Sequence, residues 1–158
     1  MNNAGTAIPK KFEETTLEEM DRVIDINVRG TLAATQAALK HLKSGGRIIM
    51  IGSSLGERVL VPGLVPYSAT KGAVKIFSQA LSREVGSRGI TVNNVQPGPI
   101  DTELNPASGD WAVPQKAATA LERYGRVEEI ADTVAFVAGP EASYITGANI
   151  TVDGGMNA

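Results

Sequence analysis

Short apolar runs alternate along this chain with longer segments of helical periodicity. The runs occupy residues 47–51 ("RIIMI"), 90–95 ("ITVNNV") and 148–155 ("ANITVDGG"), and the helical patterns cover residues 16–43, 67–88 and about 127–138. This alternation predicts an α/β domain with a mostly parallel sheet and right-handed crossovers. Such sheets bind ligands at the carboxyl ends of their strands. Functional residues are therefore expected in residues 52–66, in residues 96–120 and in the turn "NNAG" at residues 2–5.

Local signals mark the ends of the helical segments. Thr16 followed by Glu19 has the form of a capping box, so the first helix is predicted to begin near Thr16. Gly45 and Gly46 stop the pattern before the first strand, and Gly89 separates the second helix from the second strand. No internal repeat or low-complexity segment interrupts this order.

The composition is that of an ordinary globular protein. With 158 residues, 42% hydrophobic and 20% charged, the chain is long enough for one domain with a core. A net charge of −2 and scattered Lys and Arg provide no basic surface for a nucleic acid polymer. Cysteine is absent and His41 is the only histidine, so no metal site is expected. No apolar run reaches spanning length and no signal-peptide core is present, which predicts a cytoplasmic protein with no membrane partner.

Tyr67 and Lys71 stand four residues apart at the start of the second helical segment. Positions i and i+4 of a helix face the same side about one turn apart, so the phenol and the ammonium would project into the same space. The alternative is that Tyr67 packs in the core while Lys71 is solvated. The spacing by itself does not decide between these interpretations.

Two serines, Ser53 and Ser54, directly follow the first strand, and so would lie at the same sheet edge as Tyr67 and Lys71. With these residues in place, the chain resembles the short-chain dehydrogenase/reductase family over nearly its whole length, and within it the 3-oxoacyl-acyl-carrier-protein reductase branch. The motifs are "NNAG" at residues 2–5, "INV" at 26–28, "IGSSLG" at 51–56, "YSATK" at 67–71, "VQPGPIDT" at 95–102 and "TGANITVDGG" at 146–155. The resemblance implies a Rossmann-type doubly wound parallel sheet. Residues 1–158 would be a single partial domain, the C-terminal three-fifths of that fold.

The resemblance implies an oxidoreductase that transfers a hydride between NAD or NADP and a ketone or secondary alcohol. This reaction needs a proton donor beside the carbonyl oxygen, and Tyr67 would be the general acid for reduction and the general base for oxidation. A free phenol has a pKa of about 10, and the charge of Lys71 would favour the phenolate. By resemblance, Lys71 also binds the nicotinamide ribose and a serine hydroxyl orients the substrate oxygen.

Two of the implied catalytic positions leave alternatives open. The family pattern fits Ser53 as the catalytic serine, whereas a count back from Tyr67 permits Ser54. We favour Ser53, because a strand end fixes its direction more firmly than loop length does. Asn27 lies within a helical pattern, where asparagine is mildly unfavourable. By resemblance it supports a water-mediated proton relay from Lys71, and the alternative is a polar residue tolerated at a kink.

The remaining cofactor contacts are implied by the resemblance alone. Pro97 and Gly98 would shape the loop against the nicotinamide, the Ile100 backbone would contact the carboxamide, and Thr102 would contact the carboxamide or a phosphate. The "NNAG" motif would bring backbone near the adenosine side of the cofactor, through Asn3, Ala4 and Gly5.

Residues 103–124 fall where this family carries its substrate lid. They include Trp111, the only tryptophan, which is either a wall of the substrate site or an apolar contact that holds the lid. The segment does not identify the small carbonyl or alcohol substrate.

A second function is also implied. The segments "VQPGPIDTELNPASG" and "AGPEASYITGA" resemble a bacterial subgroup in which some members are described as cyclic-diguanylate-binding biofilm-dispersal proteins. The alternative to an enzyme is therefore a nucleotide-binding regulatory protein with little turnover.

The two long helices carry more apolar and small residues than one sheet-facing stripe requires. Because this family commonly pairs these helices with their copies, we expect a homodimer or a homotetramer. The surplus residues are Ala33, Ala34, Ala37, Ala38, Ile76, Phe77 and Ala80.

Members of this family normally begin with a strand, a glycine-rich turn and a helix that holds the cofactor's pyrophosphate. No Thr-Gly-x-x-x-Gly-x-Gly sequence is present here. We therefore expect the chain to be part of a longer protein, and to bind NAD(P) weakly and turn over little by itself. The residue that would select NAD over NADP is expected in that part, so the sequence does not indicate the preference.

Overall fold

The computed structural model describes all 158 residues and contains a parallel sheet of three strands. The strands are β1 (Arg47–Ile51), β2 (Thr91–Pro97) and β3 (Asn149–Val152), in the order β1-β2-β3. Ile51 is paired with Val95, so the carboxyl ends of β1 and β2 lie side by side. The three predicted strands are confirmed.

Asn2 extends the sheet beyond β1. Its N–H donates to the Ile49 carbonyl at 2.8 Å, and its carbonyl accepts from the Ile51 N–H at 2.9 Å. This parallel bridge fixes the "NNAG" motif at the same sheet edge as the end of β1.

The first helical segment consists of α1 (Leu17–Ile24), a π-helical turn (Asp25–Gly30) and α2 (Thr31–Leu39). Thr16 caps α1 with both halves of the predicted capping box, because its Oγ1 accepts from the Glu19 N–H while its own N–H donates to the Glu19 carboxylate. The predicted start is confirmed. The predicted end at Lys43 is wrong, since α2 ends at Leu39.

The second long helix, α3 (Val65–Val85), is followed by a 3₁₀ turn (Gly86–Arg88). It begins two residues before the predicted start at Tyr67, because Pro66 in its first turn needs no hydrogen-bond partner for a backbone N–H. The remaining helices are α4 (Ala112–Ala117) and α5 (Val127–Ala138), and α5 matches the prediction.

Helices cover both faces of the sheet. Alternate residues of each strand point to opposite faces, and β2 is buried at six of its seven positions. The cluster on the α3 face contains Ile48, Met50, Val74, Leu81, Val85, Ile90 and Val92. The cluster on the α5 face contains Ile49, Val95 and Val137, with Ile130, Val134 and Ile150 packed against it. The predicted α/β class is confirmed, and none of the helices has the length and apolar character needed to cross a membrane.

Candidate active site

A cavity of about 650 Å³ opens at the carboxyl ends of β1 and β2. The start of α3 and the loop after β2 form part of its wall, and one face of α5 forms another. The predicted residues that line it are Asn3, Gly5, Ser53, Tyr67, Lys71, Pro97, Gly98, Ile100 and Thr102. The sheet edge expected from the topology is therefore where these residues converge.

Tyr67 and Lys71 occupy the first two turns of α3 and face the same space. Lys71 is only 6% exposed, and its Nζ lies 5.6 Å from the centre of the Tyr67 ring. The alternative of a solvated Lys71 is wrong. Burial lowers the pKa of the Lys71 ammonium to about 8, because the charged form loses hydration.

The Lys71 ammonium has unused hydrogen-bonding capacity. It carries three N–H donors, and one of them is taken by the Ile51 carbonyl at 2.8 Å. Gly5 lies directly beside it, since a Cβ at this position would be 3.5 Å from Lys71 Nζ. The remaining donors suit the hydroxyls of a ribose.

Ser53 is positioned by the turn that follows β1. It caps the 3₁₀ turn Ser54–Gly56, and its Oγ accepts from the Leu55 N–H at 3.2 Å. Because this bond uses a lone pair, the hydroxyl proton remains available to an acceptor in the cavity, such as the Tyr67 oxygen or a substrate oxygen.

The pKa of the Tyr67 phenol is raised by burial, while side-chain hydrogen bonding with Ser53 opposes that effect. We expected the charge of Lys71 to lower this pKa. The pKa is raised instead, because the hydration that the phenolate loses on burial outweighs the stabilisation that it gains from hydrogen bonding with Ser53. The phenol is therefore protonated at neutral pH.

Ser54 does not line the cavity. It is 2% exposed, and its Oγ lies 4.0 Å from the Met156 sulfur. Ser53, and not Ser54, is thus the serine brought next to the Tyr67 phenol.

Asn27 lies in the π-helical turn and is 1% exposed. Its Oδ1 accepts from the Thr6 N–H at 2.8 Å, and its Nδ2 donates to the Thr6 carbonyl at 2.9 Å and to Thr70 Oγ1 at 3.0 Å. Thr70 Oγ1 in turn donates to the Tyr67 carbonyl at 2.7 Å. Asn27 thus joins the segment after "NNAG" to the helical turn that holds Tyr67.

The loop after β2 lines the cavity through Pro97, Gly98, Ile100 and Thr102. The Pro99 carbonyl and the Asp101 N–H both bond Gly125, so the N–H and carbonyl of Ile100 point away from Gly125. At Gly98 a Cβ would lie 2.7 Å from the Asp153 Cα, which leaves room for glycine only. Of the residues expected near the adenosine, Asn3 and Gly5 line the cavity and Ala4 does not.

Sequence reasoning missed the contribution of α5. The sequence predicts α5 only as a third helical segment, yet one side of this helix lines the cavity. Thr6, Leu104 and Asn105 line the cavity as well and were not singled out. The α5 residues concerned are Val127, Ile130, Ala131, Val134 and Ala135.

Known proteins match the chain over almost its whole length. A family model described as "Enoyl-(Acyl carrier protein) reductase" matches residues 1–157. The cyclic-di-GMP-binding biofilm dispersal mediator protein of Escherichia coli is 42% identical over 156 residues, which are 99% of this chain and 66% of that protein. The 3-oxoacyl-[acyl-carrier-protein] reductase of Vibrio cholerae is 38% identical over 162 residues, covering 99% of this chain and 65% of the relative.

A solved structure has the same fold. A short chain dehydrogenase from Burkholderia cenocepacia, in complex with NADP, superposes with a TM-score of 0.98 at 44% identity, over 99% of this chain and 64% of that chain. The predicted Rossmann-type fold is therefore confirmed. The chain spans slightly less than two thirds of the length of these relatives.

Proposed function

Because the chain belongs to the short-chain dehydrogenase/reductase family, we propose that it transfers a hydride between NAD or NADP and a ketone or secondary alcohol. The observation that carries this proposal is the convergence of Tyr67, Ser53 and a buried Lys71 on one cavity. Reduction requires a hydride at the carbonyl carbon and a proton at the carbonyl oxygen. A bound nicotinamide supplies the hydride, and the protein supplies the proton.

Tyr67 is the proton donor in this proposal. Its raised pKa keeps the phenol protonated at neutral pH, which suits a general acid. Ser53 donates its free hydroxyl proton to the substrate oxygen and so holds that oxygen beside the phenol. As negative charge passes to the phenol oxygen, the nearby Lys71 ammonium stabilises it.

The residues around Lys71 fit the ribose and nicotinamide part of the cofactor. The two remaining N–H donors of Lys71 would bind ribose hydroxyls, and the outward-facing backbone of Ile100 would bind the carboxamide. Pro97, Gly98 and Thr102 complete this wall. The adenosine side would be met by the "NNAG" backbone, through Asn3, Ala4 and Gly5.

Asn27 is proposed to support the proton relay that resupplies Tyr67 through Lys71. Both N–H donors of its side-chain amide are taken by Thr6 and Thr70, so a water of the relay would donate to an oxygen of Asn27.

The proposal is tested by oxidation of NADH and NADPH with a panel of ketones. In Tyr67→Phe we expect kcat to fall by about 10²–10⁴-fold, because the phenol is the proton donor. Cofactor affinity, measured by NADPH fluorescence titration, should stay within about threefold, since a ring without its hydroxyl still fills the site. Unchanged turnover in this variant would refute the role of Tyr67.

The second candidate is a nucleotide-binding regulatory protein, favoured by the 42% identity to the cyclic-di-GMP-binding protein of E. coli. Calorimetry with cyclic diguanylate, run beside the ketone assay, separates the two functions. Binding without turnover supports the regulatory protein, and turnover that is lost in Tyr67→Phe supports the enzyme.

We also propose a homodimer or homotetramer formed through α1, α2 and α3. Large apolar side chains remain exposed on these helices, and a second copy would bury them. They are Leu17, Ile24, Leu32, Val65 and Ile76. A monomer in light scattering at micromolar concentration would contradict this assembly. A cytoplasmic location and a substrate lid at residues 103–124 remain predictions.

A further inference from the structure

A row of polar side chains lies buried on the sheet beneath the serine turn. Gln96 of β2 is completely buried, and its Oε1 accepts from Asn94 Nδ2 at 3.0 Å. Its Nε2 donates to Glu57 Oε2 at 2.8 Å and to Thr151 Oγ1 at 3.3 Å. Since every partner of Nε2 is an acceptor, the amide has only one orientation that satisfies it.

Glu57 connects this row to α3. Its other carboxylate oxygen lies 3.2 Å from Lys75 Nζ, and Lys75 is one turn further along α3 than Lys71. Hydrogen bonding by Gln96 and Lys75 lowers the pKa of Glu57, so the carboxylate is charged at neutral pH. Glu57 thus joins the strand and the helix that together carry the proposed site.

Glu57 also ends the turn that holds Ser53. Its N–H donates to the Ser54 carbonyl at 3.0 Å, and the Gly56 N–H donates to the Ser53 carbonyl at 2.9 Å. Asn157 Nδ2 donates to the Ser54 carbonyl at 2.9 Å. At the other end of the turn, the Gly52 N–H donates to the Val95 carbonyl at 2.7 Å. The turn is therefore fixed by β2 at both of its ends.

We propose that Glu57 and Gln96 are positioning residues that hold the Ser53 hydroxyl in place for the reaction. Neither lines the cavity, so both act through the turn and not on the substrate. This inference rests on the proposed oxidoreductase function. Without Glu57 the turn keeps its contacts near Ser53 but loses its fixed end, so Ser53 samples positions in which its proton misses the substrate oxygen.

The experiment compares Glu57→Ala, Glu57→Gln and the control Glu141→Ala in the 158-residue chain. Glu57 is partly exposed, so its removal should leave the chain folded. Glutamine keeps an oxygen that accepts from Gln96 and gives up the partly exposed ion pair with Lys75. Glu141 is an exposed glutamate with no ion pair in the turn after α5.

We expect Glu57→Ala to lower kcat by about tenfold or more, with NADPH affinity within about twofold of the parent, because a misplaced catalytic group mainly affects the chemical step. Glu57→Gln should recover kcat to within about threefold, because the bond from Gln96 is kept and only the partly exposed ion pair with Lys75 is lost. Glu141→Ala should match the parent. Parent-like kcat in Glu57→Ala, or no recovery in Glu57→Gln, would overturn the proposal.

Residue-resolved hydrogen exchange provides a readout that does not need turnover. The amides of Leu55, Gly56 and Glu57 should exchange at least about tenfold faster in Glu57→Ala, and the Met50 amide should not change. If the 158-residue chain reduces no ketone, its kcat cannot be compared between variants, and exchange alone decides the positioning role. Faster exchange that Glu57→Gln reverses supports that role, and unchanged exchange overturns it.

Discussion

The start of α3 and the serine turn after β1 contribute side chains to the same cavity, but they are built in different ways. Tyr67 and Lys71 share a face because they stand four residues apart on one helix. Ser53 is oriented by a short turn, and side chains distant in sequence stabilise that turn. Gln96 bonds Glu57 across 39 residues, and Asn157 bonds Ser54 across 103 residues. The helix carries its geometry in local spacing, whereas the turn depends on the assembled sheet. Substitutions should therefore affect the two regions differently.

The largest effect that separates the regions is expected from the two adjacent serines. Ser53→Ala removes the donor that faces the Tyr67 phenol and should lower kcat by about 100-fold, as loss of a preorganised donor does. Ser54→Ala removes a hydroxyl directed at Met156 and should stay within about threefold, because no reacting group is lost. Steady-state kinetics on the two variants measures this. A greater loss in Ser54→Ala would make Ser54 the catalytic serine.

A smaller effect is expected where the turn packs on α3. A Cβ at Gly56 would lie 2.8 Å from the Lys71 carbonyl carbon, and a backbone atom cannot give way as a flexible side chain does. Gly56→Ala should therefore destabilise the fold by about 1–3 kcal/mol, as overpacking does. It should also reduce turnover, because the turn must move away from Lys71. Urea denaturation followed by circular dichroism measures the loss of stability.

Gly72 is the matched control on the opposite side of this contact. A Cβ there would meet the Gly56 carbonyl at 3.6 Å, an ordinary contact distance. Gly72→Ala in the middle of α3 should stabilise the fold by about 0.5–1 kcal/mol, since alanine loses less backbone entropy in a helix. Equal losses in both variants would contradict the close approach of the turn to α3.

The same distinction explains which features the sequence could predict. The Thr16 cap of α1, the strand at residues 47–51 and the pairing of Tyr67 with Lys71 depend on neighbours within a few residues, and all three are confirmed. Asn27 forms hydrogen bonds with Thr6 and Thr70, which are 21 and 43 residues away in the sequence. No local sequence pattern predicts such bonds. The sequence did not predict that α5 lines the cavity, because the apolar periodicity of a helix is the same whether its apolar side covers a sheet or lines a cavity.

The direction in which the Tyr67 pKa shifts could not be predicted from the sequence either. The spacing correctly placed a lysine beside the phenol, but the pKa depends on how much water each group loses, and burial is a property of the assembled fold. Burial also disfavours the charged form of Lys71, and for an ammonium this lowers the pKa. The free energy lost by burying this charge links the site to the stability of the whole fold.

The burial of the Lys71 ammonium should lower the free energy of unfolding, and a substitution of Lys71 measures by how much. Burial lowers the pKa of Lys71 from 10.5 to about 8, which corresponds to about 3 kcal/mol of destabilisation while both states carry the charge. Lys71→Met removes this penalty and one hydrogen bond of about 1 kcal/mol, so the variant should be about 2 kcal/mol more stable at pH 7 although it cannot assist Tyr67.

The sign of its pH dependence follows from proton binding. Between pH 8 and pH 10.5 the unfolded chain holds the Lys71 proton more tightly than the folded chain does, so the stability of the parent rises with pH across this interval. The advantage of Lys71→Met should therefore shrink from pH 8 upward and reach about zero near pH 10. Urea denaturation of the parent and of Lys71→Met at pH 7, 8, 9 and 10 measures the difference in their free energies of unfolding, in which the titration of all other groups cancels.

Lys40→Met, at an exposed lysine at the C-terminal end of α2, controls for the exchange of lysine for methionine. A difference that stays constant across this range would show that Lys71 is hydrated in the folded chain, and the site would then lack the buried charge on which its chemistry depends.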